Sequence, residues 1–225
     1  MSEWWSYGLS DFLLFSPRTY YRLFELYNRA VWPAHVLAVA LGVAVLLLLR
    51  RPVPAHSRLL AAILALAWLW IAWAFHYERY ATINWAATYV AMAFALEGLA
   101  FLWLSASPSR LASEPRLDVP GSTGLILYLF ALAVHPLLVV FAGRSWRGTE
   151  IFAVAPDPTA IGTLGLLLLS RLPARHPLML IPFLWCVLTS VTLYAMGSRQ
   201  AWVVAAAAAA ALVAAVYSAF DRSGR

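Results

Sequence analysis

The chain reads as an all-α, polytopic bundle of about seven transmembrane helices, six if the short fifth is re-entrant, preceded by an amphipathic helix at the membrane interface. Three observations predict this. Of 225 residues, 63% are hydrophobic and 12% charged, whereas soluble domains carry about 25% charged residues. Apolar stretches recur that approach the about 20 residues needed to cross about 30 Å of hydrocarbon. Charged and amide side chains gather mostly in the connections between those stretches.

The elements follow in order. Residues 1–29 form the interfacial segment, in which Phe12, Leu13, Phe15, Tyr20, Leu23, Phe24 and Tyr27 fall among Asp11, Arg18, Arg22, Glu25 and Asn28. From Pro17 to Asn28 this pattern predicts a helix in the interface, with Ser16 as its cap and Pro17 in its first turn. A transmembrane domain over 30–220 holds the spans Ala30 to Leu49, Leu59 to Phe75, Trp85 to Leu104, Gly124 to Ala142, Pro158 to Leu172, Pro177 to Met196 and Ala201 to Phe220. Residues 221–225 are a short tail. The fifth span is the shortest, and Asp157 and Pro158 suit its N-cap and first helical position. Before it, "IFAVA" is apolar enough to re-enter the membrane and make a broken helix.

All sixteen basic residues are arginine, and they lie mostly between spans, where they read as topology signals. No polybasic run exists for nucleic acid or an anionic-lipid switch, so the bilayer is the expected partner and nucleic acid is not. The cluster "LRRPVPAHSR" places the connection after the first span in the cytoplasm, and alternation then puts nine arginines inside and seven outside. The opening "MSEWWSYG" lacks the basic and apolar regions of a cleaved signal peptide. A lone cysteine, Cys186, excludes an internal disulfide. On this assignment the inner linkers are Pro, Ser and Arg turns, while the outer ones mix aromatics, both charges and amides.

Four stretches, "FELYNRAVWPAHV", "AFHYERYATINWAA", "PDPTAIGTLGLLLL" and "IPFLWCVL", succeed one another in an order that resembles a family of uncharacterised bacterial integral membrane proteins, a domain of unknown function. The resemblance runs from Phe24 to about Met196. It implies a multi-pass protein of the bacterial inner membrane with no established activity and names no cofactor. The family pattern admits Cys between the two prolines; here the residue is Asp157, which weakens a thiol-based or soft-metal mechanism.

Chemistry can be carried by few residues. Glu97 stands about twelve residues into the third span, where a carboxylate costs roughly 2.5–3.5 kcal/mol and needs water or a partner. His135 shares a stripe with Gly124, Tyr128 and Ala131, and the following Pro136 removes a backbone donor. Asp157, Thr159 and Thr163 line the start of the fifth helix. With Glu97 and His135 they form the expected substrate or ion pathway. A polar cluster of His76, Glu78, Arg79, Arg144 and Glu150 is expected on the outer face. No helix carries a spaced ligand pair, so no metal site is read from spacing.

Intramembrane ionisable groups, a broken helix and threonines on one face point first to a small-solute or ion permease or channel, with an outward-facing polar cavity. One alternative is a membrane-embedded enzyme with a His and carboxylate site. Another is a non-catalytic subunit or assembly factor that forms homo- or hetero-oligomers through its Ala-rich last helix. No Gly-rich phosphate loop, serine elbow or Cys-x-x-Cys supports ATP-driven, hydrolase or redox chemistry.

Overall fold

A computed structural model describes residues 13–50, 53–107, 116, 118–170, 172 and 175–223, the last three without side chains. Asp11, Phe12, Arg51, Arg110, Arg171 and Arg225 lie outside the described residues. Among those described, all regular structure is helical.

α1 (Pro17–Val31) forms as its pattern predicts. Ser16 Oγ accepts from Thr19 N at 3.2 Å, and the helix buries Tyr20, Leu23, Phe24 and Tyr27 on one face. It meets α2 (Ala34–Leu49) at 89°. If α2 crosses the membrane, α1 therefore lies along its surface. α3 (Pro54–Trp70) continues through a π turn over Ile71–Tyr77, and α4 (Ala87–Ala106) returns beside it. α5 (Val119–Leu129) continues through a second π turn (Phe130–Val134), a 3₁₀ turn (His135–Leu137) and α6 (Leu138–Phe141). α7 (Pro156–Leu169), α8 (Arg175–Leu178), α9 (Leu180–Ala195) and α10 (Gln200–Ser223) complete the bundle.

Five helical stretches are long and apolar enough to cross a membrane, or six if the bent α1 and α2 pair is one span. Each of the seven apolar stretches of the sequence is helical over most of its described residues, but two fall short of a full crossing. α2 has 16 residues and α7 has 14, which at 1.5 Å per residue rise only about 24 and 21 Å. For α2 the shortfall comes from the sharp bend at its start. For α7 it comes from the irregular segment ahead of it, which supplies the missing length inside the protein.

All fourteen residues of α7 are buried. It packs against α5, α9 and α10, with α3 also in contact. Glycines bring α5 and α7 together: a Cβ on Gly165 would stand 2.5 Å from the Gly124 carbonyl oxygen, and one on Gly124 would stand 2.4 Å from that of Gly165. Only the absence of side chains lets α5 and α7 touch backbone to backbone. Gly162 faces Ala131 one turn along, so the two helices run antiparallel. The surrounding helices turn Val36, Leu37, Leu96, Trp103, Val213 and other large apolar side chains outward, as lipid contact requires.

Polar bonds join the layers. Trp68 Nε1 donates to Thr163 Oγ1 at 3.0 Å, Tyr128 Oη donates to the Gly42 carbonyl at 2.8 Å, and Tyr27 Oη donates to the Val154 carbonyl at 3.0 Å. At the end of the bundle where α7 finishes, two arginines are buried. The Arg175 guanidinium donates to the Ser170 carbonyl at 3.2 Å and to Ser218 Oγ, which Arg116 Nη1 also meets at 2.8 Å. Arg116 forks onto Asp118, whose carboxylate caps α5 through Gly121 N at 3.1 Å. These linkers were expected to hold turn chemistry and little else; they also clamp α5, α7 and α10 together.

Candidate polar centre at the start of the central helix

After α6 the chain passes a 3₁₀ turn (Trp146–Gly148) and enters the bundle as a non-helical stretch in which Phe152, Ala153, Val154 and Ala155 are buried. Buried backbone must find partners. Here Val154 N and Ala155 N donate to the Ile151 carbonyl, and Ala153 N donates to Thr159 Oγ1 at 2.8 Å. Ala153 has φ +66°, a conformation that costs a non-glycine residue about 1–2 kcal/mol and that tends to be kept where the surroundings over-determine it. Thr159 Oγ1 also donates to the Ala155 carbonyl at 2.7 Å. The segment expected to re-enter the membrane is irregular backbone enclosed by protein.

One expectation for this segment is corrected. Ala155, not Asp157, is the N-cap of α7, and Pro156 opens the helix. Asp157 is freed from capping because Thr159 ties the turn together. Its side chain instead accepts from Trp185 Nε1 at 2.8 Å and from Thr189 Oγ1 at 3.3 Å, both on α9.

His135 reaches the same place from α5. The π turn at Phe130–Val134 and the 3₁₀ turn at His135–Leu137 change the helix register just before and at the histidine, which aims its ring inward while Tyr128 and Ala131 remain on the buried stripe. Such π turns are frequent at functional sites. Glu150 comes from the connecting loop. One ligand-type atom from each of His135, Glu150 and Asp157 lies within 4.8 Å of the other two, and all three residues are buried. Burial, and then the neighbouring Asp157, push the Glu150 carboxyl up from its ordinary 4.5 to about 8, against a smaller opposing pull from Arg144. The Arg144 guanidinium lies 4.0 Å from the centroid of the Tyr21 ring and donates to Gln200 Oε1.

The residues expected to act together are thus divided. His135 and Asp157 of the expected pathway meet, and Arg144 and Glu150 of the expected outer cluster join them. The Thr159 and Thr163 hydroxyls hold the α7 entrance and the α3 contact. Glu97 is buried beside the row Ala87, Ala91, Phe94, Gly98 and Phe101 on α4, and its Oε1 carries no hydrogen bond. His76 lies within the other π turn and is buried, with neither ring nitrogen hydrogen-bonded. Its ring centroid lies 4.3 Å from Phe94 and 4.9 Å from Trp185, the residue that holds Asp157. Glu78 and Arg79 stay outside, in a surface basin of about 410 Å³ shared with Arg18, Thr19 and Arg22 of α1. Trp185 and Thr189 escape a reading of the sequence. The "IPFLWCVL" motif is a signal for Trp185, although its role as the partner of Asp157 depends on packing between α7 and α9.

A ring of apolar helices around a short, wholly buried helix with an acid in its first turn defines a polytopic membrane protein built about an internal polar centre. The chain belongs to a family of unknown function, the DUF6064 family, whose model matches residues 18–224. No curated protein and no solved structure matches it.

Proposed function

We propose that the protein is a permease for a small cation or a cation-coupled solute, with the polar centre at the start of α7 as its binding site. One observation carries the reading: a short central helix begins inside the bundle after a buried irregular segment, and an acid sits in its first turn. Discontinuous helices of this kind form substrate and ion sites in transporters, where unwound backbone is tolerated because it lines a cavity. The acid fits a cationic partner, and His135 and Glu150 stand beside it. The proposed pathway centres on Asp157, His135 and Glu150, with Thr159 and Thr163 supporting it.

A permease must open this centre to water during its cycle. In a Cys186→Ser background, Ala155→Cys at the α7 N-cap is expected to react with a small membrane-impermeant thiol reagent in sealed vesicles. Ala61→Cys, equally buried in α3, sets the rate for a closed core, and exposed Ser145→Cys sets the upper rate. Reaction at residue 155 no faster than at residue 61 would overturn the reading.

A further inference from the structure

We propose that His135, Glu150 and Asp157 together bind one divalent first-row metal ion of the Zn²⁺ or Mn²⁺ kind, through one imidazole nitrogen and two carboxylate oxygens. The inference rests on the reading of the α7 entrance as the functional centre, and names what that centre holds.

Three observations support it independently. The donor set is drawn from three separate segments that converge within 4.8 Å. Ligand atoms around a four-coordinate zinc with bonds of about 2.0–2.1 Å stand about 3.4 Å apart, so side-chain rotations that close gaps of up to about 1.4 Å complete the site. Next, the donors are unsatisfied as they stand: His135 Nδ1 and Glu150 Oε2 are buried without a hydrogen bond, in residues only 3% and 8% exposed. Buried polar atoms without partners cost about 1–3 kcal/mol each, and a metal ion would engage both. Last, the outer shell is built. Trp185 Nε1 and Thr189 Oγ1 fix the Asp157 carboxylate, in the way that hydrogen-bonded partners orient metal ligands.

The chemistry of the set narrows the ion. A nitrogen donor beside two carboxylates suits zinc and manganese and is a poor match for Ca²⁺, which takes six to eight oxygens. With three protein donors a fourth position stays open to water or to a passing group, as in sites that exchange or activate their ligand. Arg144 stands on the Glu150 side, turned to Tyr21 and Gln200. Its charge opposes only part of the two carboxylates.

The test uses the full chain purified in detergent, stripped with a chelator, then equilibrated with Zn²⁺ or with Mn²⁺ and freed of unbound ion. Mass spectrometry of the bound metal is expected to give one ion per chain, and X-ray absorption a shell of nitrogen and oxygen without sulfur, Cys186 taking no part. Trp185→Phe removes only the outer-shell donor and should weaken binding by about 10–100-fold. Glu150→Gln, His135→Gln and Asp157→Asn should each weaken it further, whereas Glu97→Gln on α4 should leave it unchanged. A wild-type chain that binds neither ion, or three ligand variants that all bind as tightly as wild type, would overturn the proposal; neither result can arise from a variant that fails to fold. Thiol labelling at residue 155 tests the permease reading separately, so either can fail alone.

Discussion

Replacing Asp157 by Ala and by Asn separates its place in the architecture from its charge. Both variants lack the carboxylate, so the cost of burying that charge cancels between them. Asn keeps an oxygen where Trp185 Nε1 donates at 2.8 Å, and its amide can donate to a rotated Thr189 hydroxyl. Ala leaves both donors without their partner. An orphaned buried donor costs about 1–3 kcal/mol. The indole cannot turn away, whereas the threonine can rotate to a backbone carbonyl one turn back, so its share falls at the low end. Asp157→Ala should therefore be less stable than Asp157→Asn by about 2–4 kcal/mol, against about 1 kcal/mol for a residue that only capped the helix. Thermal unfolding in detergent, followed by tryptophan fluorescence, should place the two midpoints roughly 4–16 °C apart on the scaling for a chain of this length. Equal midpoints would refute the reasoning, since they would mean that the Asp157 oxygens do not hold α9 against α7.

Two further outcomes follow from the same packing and electrostatics. Gly165→Ala would drive a Cβ to 2.5 Å from the Gly124 carbonyl oxygen, forcing α5 and α7 apart at a cost of about 1–3 kcal/mol; a thermal midpoint in detergent equal to that of wild type would refute the close contact. In chelator, the contribution of Glu150 to stability should fall from pH 5 to pH 8, read as the difference between wild type and Glu150→Gln, because burial holds its proton in the folded state well above the ordinary carboxylate range. That contribution is complete below the unfolded value and lost as pH rises through the folded one, at no more than about 1.4 kcal/mol per pH unit. Glu150 faces Asp157 on α7 and Arg144 in its own loop, Tyr20 of α1 and His135 after α5; Glu150→Gln should flatten the fall, and an unchanged slope would remove Glu150 as its source.

The helices were legible because their signals are local. Apolar run length located all seven stretches, and Ser16 with Pro17 marked the start of α1. Pro136 announced a disturbed helix around His135. Membership of a family of unknown function was likewise expected from the sequence. The site was legible in part. Asp157 and His135 stood out because an ionisable group in an apolar run demands a partner, but Thr159 and Thr163 looked like the same surface as Asp157. Their partners, Ala153 N and Trp68 Nε1, are fixed by chain return and helix packing, which periodicity does not encode.

Tertiary structure alone decided which helix is innermost. Lipid tails and a protein interior are about equally apolar, so a helix wholly surrounded by protein and one facing lipid carry the same hydropathy, and only packing separates α7 from α2 or α4. The same limit hid the row Ala201, Val204, Ala207, Ala208, Ala211 and Ala214 of α10, which turns inward although its composition equally suited an outside partner. It hid Arg175 as well, the first residue of α8, whose buried guanidinium meets Ser218 of α10. His135, Glu150 and Asp157 share no helical spacing; they meet because a 3₁₀ turn, a loop and the first turn of α7 deliver one side chain each to the same buried point, and such convergence exists only once the chain has folded.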